Sequence, residues 1–151
     1  MSGWLPYPAA SDAAVRLFCL PHAGAGASAF RRWRDVFPPG VDVQPVQLPG
    51  REDRIGEPPA TDAHALVEEL ASALAGAADR PFVLFGHSMG ALLAAELARR
   101  LPPTLLVLSG RAAPVELPPR EAELRRVMAA TDEEVLGATF DRAGMGAPAD
   151  A

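Results

Sequence analysis

The chain has 151 residues, 49% of them apolar and 22% charged, which are the proportions of one folded domain rather than a disordered tail. A formal net charge of −5 argues against a nucleic-acid or anionic-membrane binder. Cys19 is the single cysteine, which excludes an internal disulfide and gives no framework for a zinc or iron–sulfur site.

Arg16 is the first basic residue, so the N-terminus lacks the charged-then-apolar layout of a secretory signal, and the cytoplasm is the expected compartment. Apolar runs are far shorter than the ~20 residues of a membrane span. All 14 basic residues are arginine, which is read as codon bias in a GC-rich genome.

Val15-Arg16-Leu17-Phe18-Cys19-Leu20 reads as a buried strand that stops at Pro21. Ser28 is expected to cap a short helix that places Phe30, Trp33 and Phe37 on one face and ends at Pro38-Pro39. Those aromatic rings are expected in the core. Val41 to Leu48 reads as a second strand, closed by Pro49-Gly50. Thr61 or Asp62 can cap a helix carrying Leu66, Leu70 and Leu74 at i, i+4 and i+8.

Phe82-Val83-Leu84-Phe85 is short and wholly apolar, as in a parallel sheet covered on both faces. A helix from about Met89 to Leu101 follows, and Thr104 to Leu108 forms a fourth strand. Strands alternating with helices give βαβ units, and the fold class is α/β. After Gly110 the pattern changes. Short helices are expected after Pro118-Pro119 and at the Thr131/Glu134 capping box, followed by a Gly/Ala/Pro-rich tail.

Gly86-His87-Ser88-Met89-Gly90 lies directly between the apolar strand and the Ala/Leu-rich helix. This G-x-S-x-G pattern in a strand–turn–helix setting is a nucleophile elbow, which lifts the Ser88 hydroxyl above a sheet. Gly86 and Gly90 leave room for the sharp turn. The helix N-terminus supplies unpaired N–H groups and a dipole suited to a developing anion.

Acyl transfer passes through a tetrahedral oxyanion, which calls for two preorganised donors. One would be the N–H of Met89, next after the serine. The other comes from Pro21-His22-Ala23-Gly24-Ala25-Gly26, most plausibly the N–H of Ala23. His22 would support that loop. The glycine spacing does not fit a Rossmann fingerprint.

Four stretches together carry a specific resemblance: Leu17 to Gly24, Gln47-Leu48-Pro49-Gly50-Arg51 continuing to Arg54, Leu84 to Ala91, and Leu108-Ser109-Gly110-Arg111. The chain resembles a type II thioesterase of modular polyketide and non-ribosomal peptide synthesis, in the α/β-hydrolase superfamily. The resemblance implies hydrolysis of stalled or wrong acyl groups from the phosphopantetheine arm of acyl or peptidyl carrier domains. No cofactor, metal, nucleic acid or membrane is implied. Residues 15–110 would form the core βα units of a partial α/β-hydrolase domain spanning 1–151, with 111–151 the start of a helical lid and a loose tail.

The superfamily supplies its acid and base after the serine, as Asp or Glu and then His. Here His22, His64 and His87 all precede or adjoin Ser88, and none follows it. His87 is expected to point away from Ser88, and His64 to be solvated on its helix. Asp132, Glu133, Glu134, Asp141 and Asp150 fall on lid or tail and are not assigned as the acid. The acid and base would sit on loops after two further strands, each strand–helix unit taking roughly 30 residues or more, and about 100 residues are expected to be absent. The expectation is an N-terminal piece of a thioesterase, truncated within the lid, whose own activity is open.

Alternative readings are an inert remnant, a carrier-binding module without chemistry, or a general esterase. Arg31, Arg32, Arg34, Arg51 and Arg54 read as a solvated face, with docking of an acidic carrier as the alternative.

Overall fold

A computed structural model describes residues 3–110. The expected lid, its capping box and the late carboxylates lie outside those residues. In chain order the elements are β1 (Val15–Leu20), α1 (Trp33–Val36), β2 (Val41–Pro45), α2 (Ala63–Ala75), β3 (Phe82–His87), α3 (Met89–Arg100) and β4 (Leu105–Ser109). Short 3-10 turns at Ala27–Phe30 and Glu52–Arg54 interrupt the connections.

The four strands form one parallel sheet in the order β2-β1-β3-β4. Successive side chains of a strand point to opposite faces, so each strand feeds two cores. Phe18, Leu20 and Leu84 join Leu66, Leu70 and Leu74 of α2 and Leu93 and Leu97 of α3 in the larger cluster. Leu17, Cys19 and Val43 face the other way, against Phe30 and Trp33. Apolar residues on both faces of the strands are what a doubly covered parallel sheet demands.

Helix α2 begins where the sequence expects it. The Asp62 carboxylate accepts hydrogen bonds from the N–H groups of His64 at 2.8 Å and Ala65 at 3.0 Å. Of the two expected caps, Asp62 is the one used. Its i, i+4, i+8 leucines are all buried.

The segment after β1 departs from expectation. Ser28 caps no helix: the aromatic stretch is split into the 3-10 turn and the single-turn α1, and the 3-10 turn starts from Gly26 without a side-chain cap. The rings still cluster, with Trp33 4.8 Å from Phe85 and 5.0 Å from Phe30 between centroids. Phe30 is buried, whereas Phe37 stacks at the exposed margin of the group. The second strand ends at Pro45 rather than Leu48: the Val46 N–H still donates to the Cys19 carbonyl of β1, and the next N–H, of Gln47, donates to the Trp4 carbonyl at 2.9 Å.

One charged residue in the apolar first strand has a structural cause. Arg16 is buried and its guanidinium bonds Asp42 of the neighbouring strand at 2.8 Å, with further contacts to Asp79 and the Ala77 carbonyl. Burial by itself raises the Asp42 pKa. Hydrogen bonds from Gln44, the Ala10 N–H and Arg16, together with the Arg16 charge, outweigh it and hold the carboxyl below its ordinary value.

Candidate active site

Strand order reverses at β1: the chain lays β2 on one side of it and β3 on the other. In an open parallel sheet the crevice at the carboxyl ends of the strands flanking such a point is the natural ligand site. The two segments singled out from the sequence emerge there. Leu20, the last residue of β1, lies in register with Gly86 of β3. The loop from Pro21 to Gly26 and the turn from Gly86 to Gly90 therefore start side by side.

The turn is sharp. Ser88 has φ 53° and ψ −112°, one of two non-glycine residues at positive φ among the described residues. Such a conformation costs on the order of 1–3 kcal/mol and persists only where the surroundings enforce it. Those surroundings are visible. A Cβ on Gly86 would overlap the Gly90 carbonyl, and a Cβ on Gly90 would overlap the carbonyl of Leu20. The start of α3 thus presses against the end of β1, which brings Met89 toward the loop that follows it. Met89 is buried, and Ala23 packs against the same apolar cluster.

The loop itself is a tight turn: the Ala25 N–H donates to the His22 carbonyl at 3.2 Å, and Gly24 takes φ 79°. His22 and His87 meet edge to face with ring centroids 5.8 Å apart. Partial desolvation of His22, and then the nearby His87, hold its pKa below the ordinary histidine value. His87 Nδ1 lies 3.1 Å from the Ser109 hydroxyl oxygen, which occupies that ring nitrogen with a structural partner. His64 sits half-buried in the first turn of α2, on another element from the elbow.

Of the five arginines grouped from sequence, three are built into the fold. Arg34 donates to the Val43 and Pro8 carbonyls and covers Tyr7. Arg54 lies 4.3 Å over the Trp4 ring and donates to the Gln47 carbonyl. Arg51 is half-buried beside Gly50 and donates to its carbonyl. Arg31 and Arg32 are exposed.

Gln47 and Glu52 carry no role in the sequence pattern, yet both side chains reach the loop after β1. Gln47 Oε1 accepts from the Ala27 N–H at 2.9 Å, and the Glu52 carboxylate accepts from the Ser28 N–H and hydroxyl at 3.1 and 2.5 Å. The available signal is an amide set between Val46 and Leu48 just before the Pro49-Gly50 turn.

Among the described residues no group of three or more His, Cys, Asp or Glu side chains could hold a metal ion, and no helix is long and apolar enough to cross a membrane.

Residues 15–149 match the family model described as "Thioesterase domain". The chain belongs to that family. It is 46% identical over 110 residues to the gramicidin S biosynthesis protein GrsT of Aneurinibacillus migulanus, an alignment covering 69% of this chain and 43% of that protein. It is 42% identical over 149 residues to thioesterase PikA5 of Streptomyces venezuelae, covering 84% and 51%.

Among solved structures, the type II thioesterase BorB from the borrelidin biosynthetic cluster superposes with a TM-score of 0.73 at 36% identity, covering 95% of this chain and 59% of that one. The chain thus spans about half the length of these curated relatives. The parallel sheet bears out the α/β class expected from the alternation of strands and helices, and its order with the flanking helices is that of the α/β-hydrolase fold, as the resemblance implied.

Proposed function

We propose that the protein carrying these residues is a serine thioesterase that removes acyl groups from the phosphopantetheine arms of carrier domains in polyketide or non-ribosomal peptide synthesis. The observation that carries the reading is Ser88 at positive φ on the strand–helix turn, beside the Ala23 loop. The substrate class is supported by a similar solved structure, YbtT, a type II thioesterase from the yersiniabactin NRPS/PKS biosynthetic pathway, at 34% identity over 72% of this chain.

In this reading the Ser88 hydroxyl oxygen attacks the thioester carbon while a base takes its proton. The carbonyl oxygen becomes an oxyanion, met by the N–H groups of Ala23 and Met89. The C–S bond then breaks, the phosphopantetheine thiol leaves with a proton, and the acyl group stays on Ser88. Water hydrolyses that ester and releases the acid. The base follows the serine in the chain order of this superfamily. His87 is engaged with Ser109 and serves the shape of the turn. Of the five arginines grouped from sequence, Arg34, Arg51 and Arg54 are committed internally, which leaves Arg31 and Arg32 as the pair in that group exposed to an acidic carrier.

The test compares hydrolysis of an acyl-phosphopantetheine carrier with that of a simple ester of the same acyl group, in the intact protein and in Ser88→Ala. Removal of a triad nucleophile costs about 10⁶ in kcat. Retention of most of the rate by Ser88→Ala would refute the nucleophile assignment. Preference for the simple ester would favour a general esterase, and carrier binding without turnover a binding module.

A further inference from the structure

We propose that Gln47 and Glu52 are positioning residues that clamp the far end of the oxyanion loop and so hold the Ala23 N–H in place for catalysis. The proposal deepens the thioesterase reading and rests on it. The Ala23 loop has two ends. One is continuous with β1 through the buried Pro21, and the strand fixes it. The other, at Ala27 and Ser28, is joined to no strand. Its N–H groups are taken instead by two side chains from the segment after β2.

Gln47 is buried and uses both ends of its amide. Its Oε1 accepts from Ala27, while its Nε2 donates to the Arg51 carbonyl at 2.9 Å. Glu52 accepts twice from Ser28. The two contacts together stitch consecutive residues of one loop to consecutive turns of another. The approach is close: a Cβ on Gly26 would lie 2.5 Å from the Glu52 carboxyl carbon.

Backbone strain marks the same place. Among the described residues, the non-glycine positive φ values are those of Ser88 and Glu52, at 53° and 42°. Strain of this kind is retained where the surrounding contacts over-determine it, and it gathers at working sites. The first lies in the proposed nucleophile turn. The second aims a carboxylate at the loop opposite that turn. Between the two anchored ends, the turn from His22 to Ala25 has little room to slide, which is the preorganisation that an oxyanion donor requires. Loss of the clasp would let the donor drift while leaving the acyl-binding surface in place.

The experiment uses the intact protein with an N-acetylcysteamine acyl thioester, comparing wild type with Gln47→Ala, Glu52→Ala and Glu52→Gln. Loss of a whole oxyanion donor costs about 10²–10³ in kcat, so a displaced donor should cost on the order of tenfold. We expect kcat to fall by that amount in both alanine variants with KM little changed; Tm should hold in Glu52→Ala and fall in Gln47→Ala, which leaves the Ala27 N–H and the Arg51 carbonyl without their buried partner. Glu52→Gln, whose amide oxygen still accepts from Ser28, should recover most of the loss.

Amide hydrogen exchange should quicken at Ala27 in Gln47→Ala and at Ser28 in Glu52→Ala. Unchanged exchange would overturn the clasp. Quickened exchange with unchanged kcat would overturn its catalytic role, and so would a raised KM and lowered Tm beside the fall in kcat in Glu52→Ala. A wild-type protein that hydrolyses no acyl thioester would sink the thioesterase reading and the oxyanion role with it. In that case exchange alone decides whether the clasp holds the loop.

Discussion

The backbone N–H of Ser88 donates to the carbonyl of Ser109 at 2.9 Å, so the strained residue of the elbow is tied to the carboxyl end of β4. The preceding residue is held by the same neighbour, His87 Nδ1 lying 3.1 Å from the Ser109 hydroxyl oxygen. Gly110 then closes over the ring: it has φ 66°, and a Cβ there would lie 2.5 Å from His87 Cε1. The end of β4 thus acts as a mould for the turn.

Gly110→Ala should therefore destabilise the protein more than Ser109→Ala. The serine change removes one hydrogen bond, worth about 1 kcal/mol. The glycine change adds both a left-handed alanine and a contact with the His87 ring, and should cost about 2 kcal/mol or more. Thermal unfolding of the two variants gives the order. The reverse order would mean that His87 is not held against Gly110.

Gly90→Ala and Gly76→Ala form a second contrast within helical segments. Alanine has the higher helix propensity at both positions. Gly76 has ordinary helical dihedrals with open space around its Cβ direction, so alanine there should be neutral or stabilise by up to about 1 kcal/mol. At Gly90 the added methyl meets the Leu20 carbonyl, and overpacking should cost about 1–3 kcal/mol and distort the elbow. Equal stability of the two variants would show that α3 can shift away from β1.

Much of this arrangement was legible in the sequence because it depends on local chemistry. The strand–turn–helix context of Ser88 and the Asp62 cap follow from neighbours a few residues apart. The Arg16–Asp42 pair was not legible: an arginine in an apolar run gives no sign that its partner lies 26 residues on. Nor was the break in the Phe30–Phe37 segment. Aromatic spacing suggested one helix capped by Ser28, but the Ser28 hydroxyl and N–H are claimed by Glu52, 24 residues away. In both cases what the sequence hid was a long-range polar contact, and in the second it overrode a local propensity.

The Arg16–Asp42 pair makes an acid-sensitivity prediction. Their side chains are 5% and 1% exposed, and removing one partner of a buried pair is costly. Asp42→Asn should lose about 3 kcal/mol near neutral pH, the lower end of the usual range because Asp79 still meets Arg16. The Asp42 pKa is lower in the folded than in the unfolded chain, so its contribution is complete above the unfolded value of about 3.9 and fades as pH falls through the folded value. Denaturant midpoints of wild type and variant should accordingly converge below about pH 4. A gap that persists or widens in acid would contradict the pairing.

Cys19 should be chemically silent in the native protein. It is fully buried in β1, and burial pushes its thiol pKa up to about 12. The thiolate is the reactive species, so iodoacetamide at pH 8 should label Cys19 only as fast as the chain opens. Labelling should become complete in denaturant. Rapid alkylation under native conditions would show that the β1 core face is open to solvent.

Strand β4 should be less protected than β3 against exchange. Among the described residues it pairs with β3 alone, whereas β3 is flanked by β1 and β4. Its alternate residues Leu106 and Leu108 pack against the main core, but Leu105 and Val107 are 55% and 36% exposed. The sequence expectation of a strand apolar on both faces holds, and one of those faces is open among the described residues. Local opening follows low packing and one-sided pairing. Amides of 82–85 should therefore exchange more slowly than those of 105–108. Leu106→Ala should also destabilise more than Leu105→Ala, because the inner side chain alone leaves a packed site behind. Equal protection of the two strands, or a larger loss at Leu105, would place a covering layer over the outer face of β4.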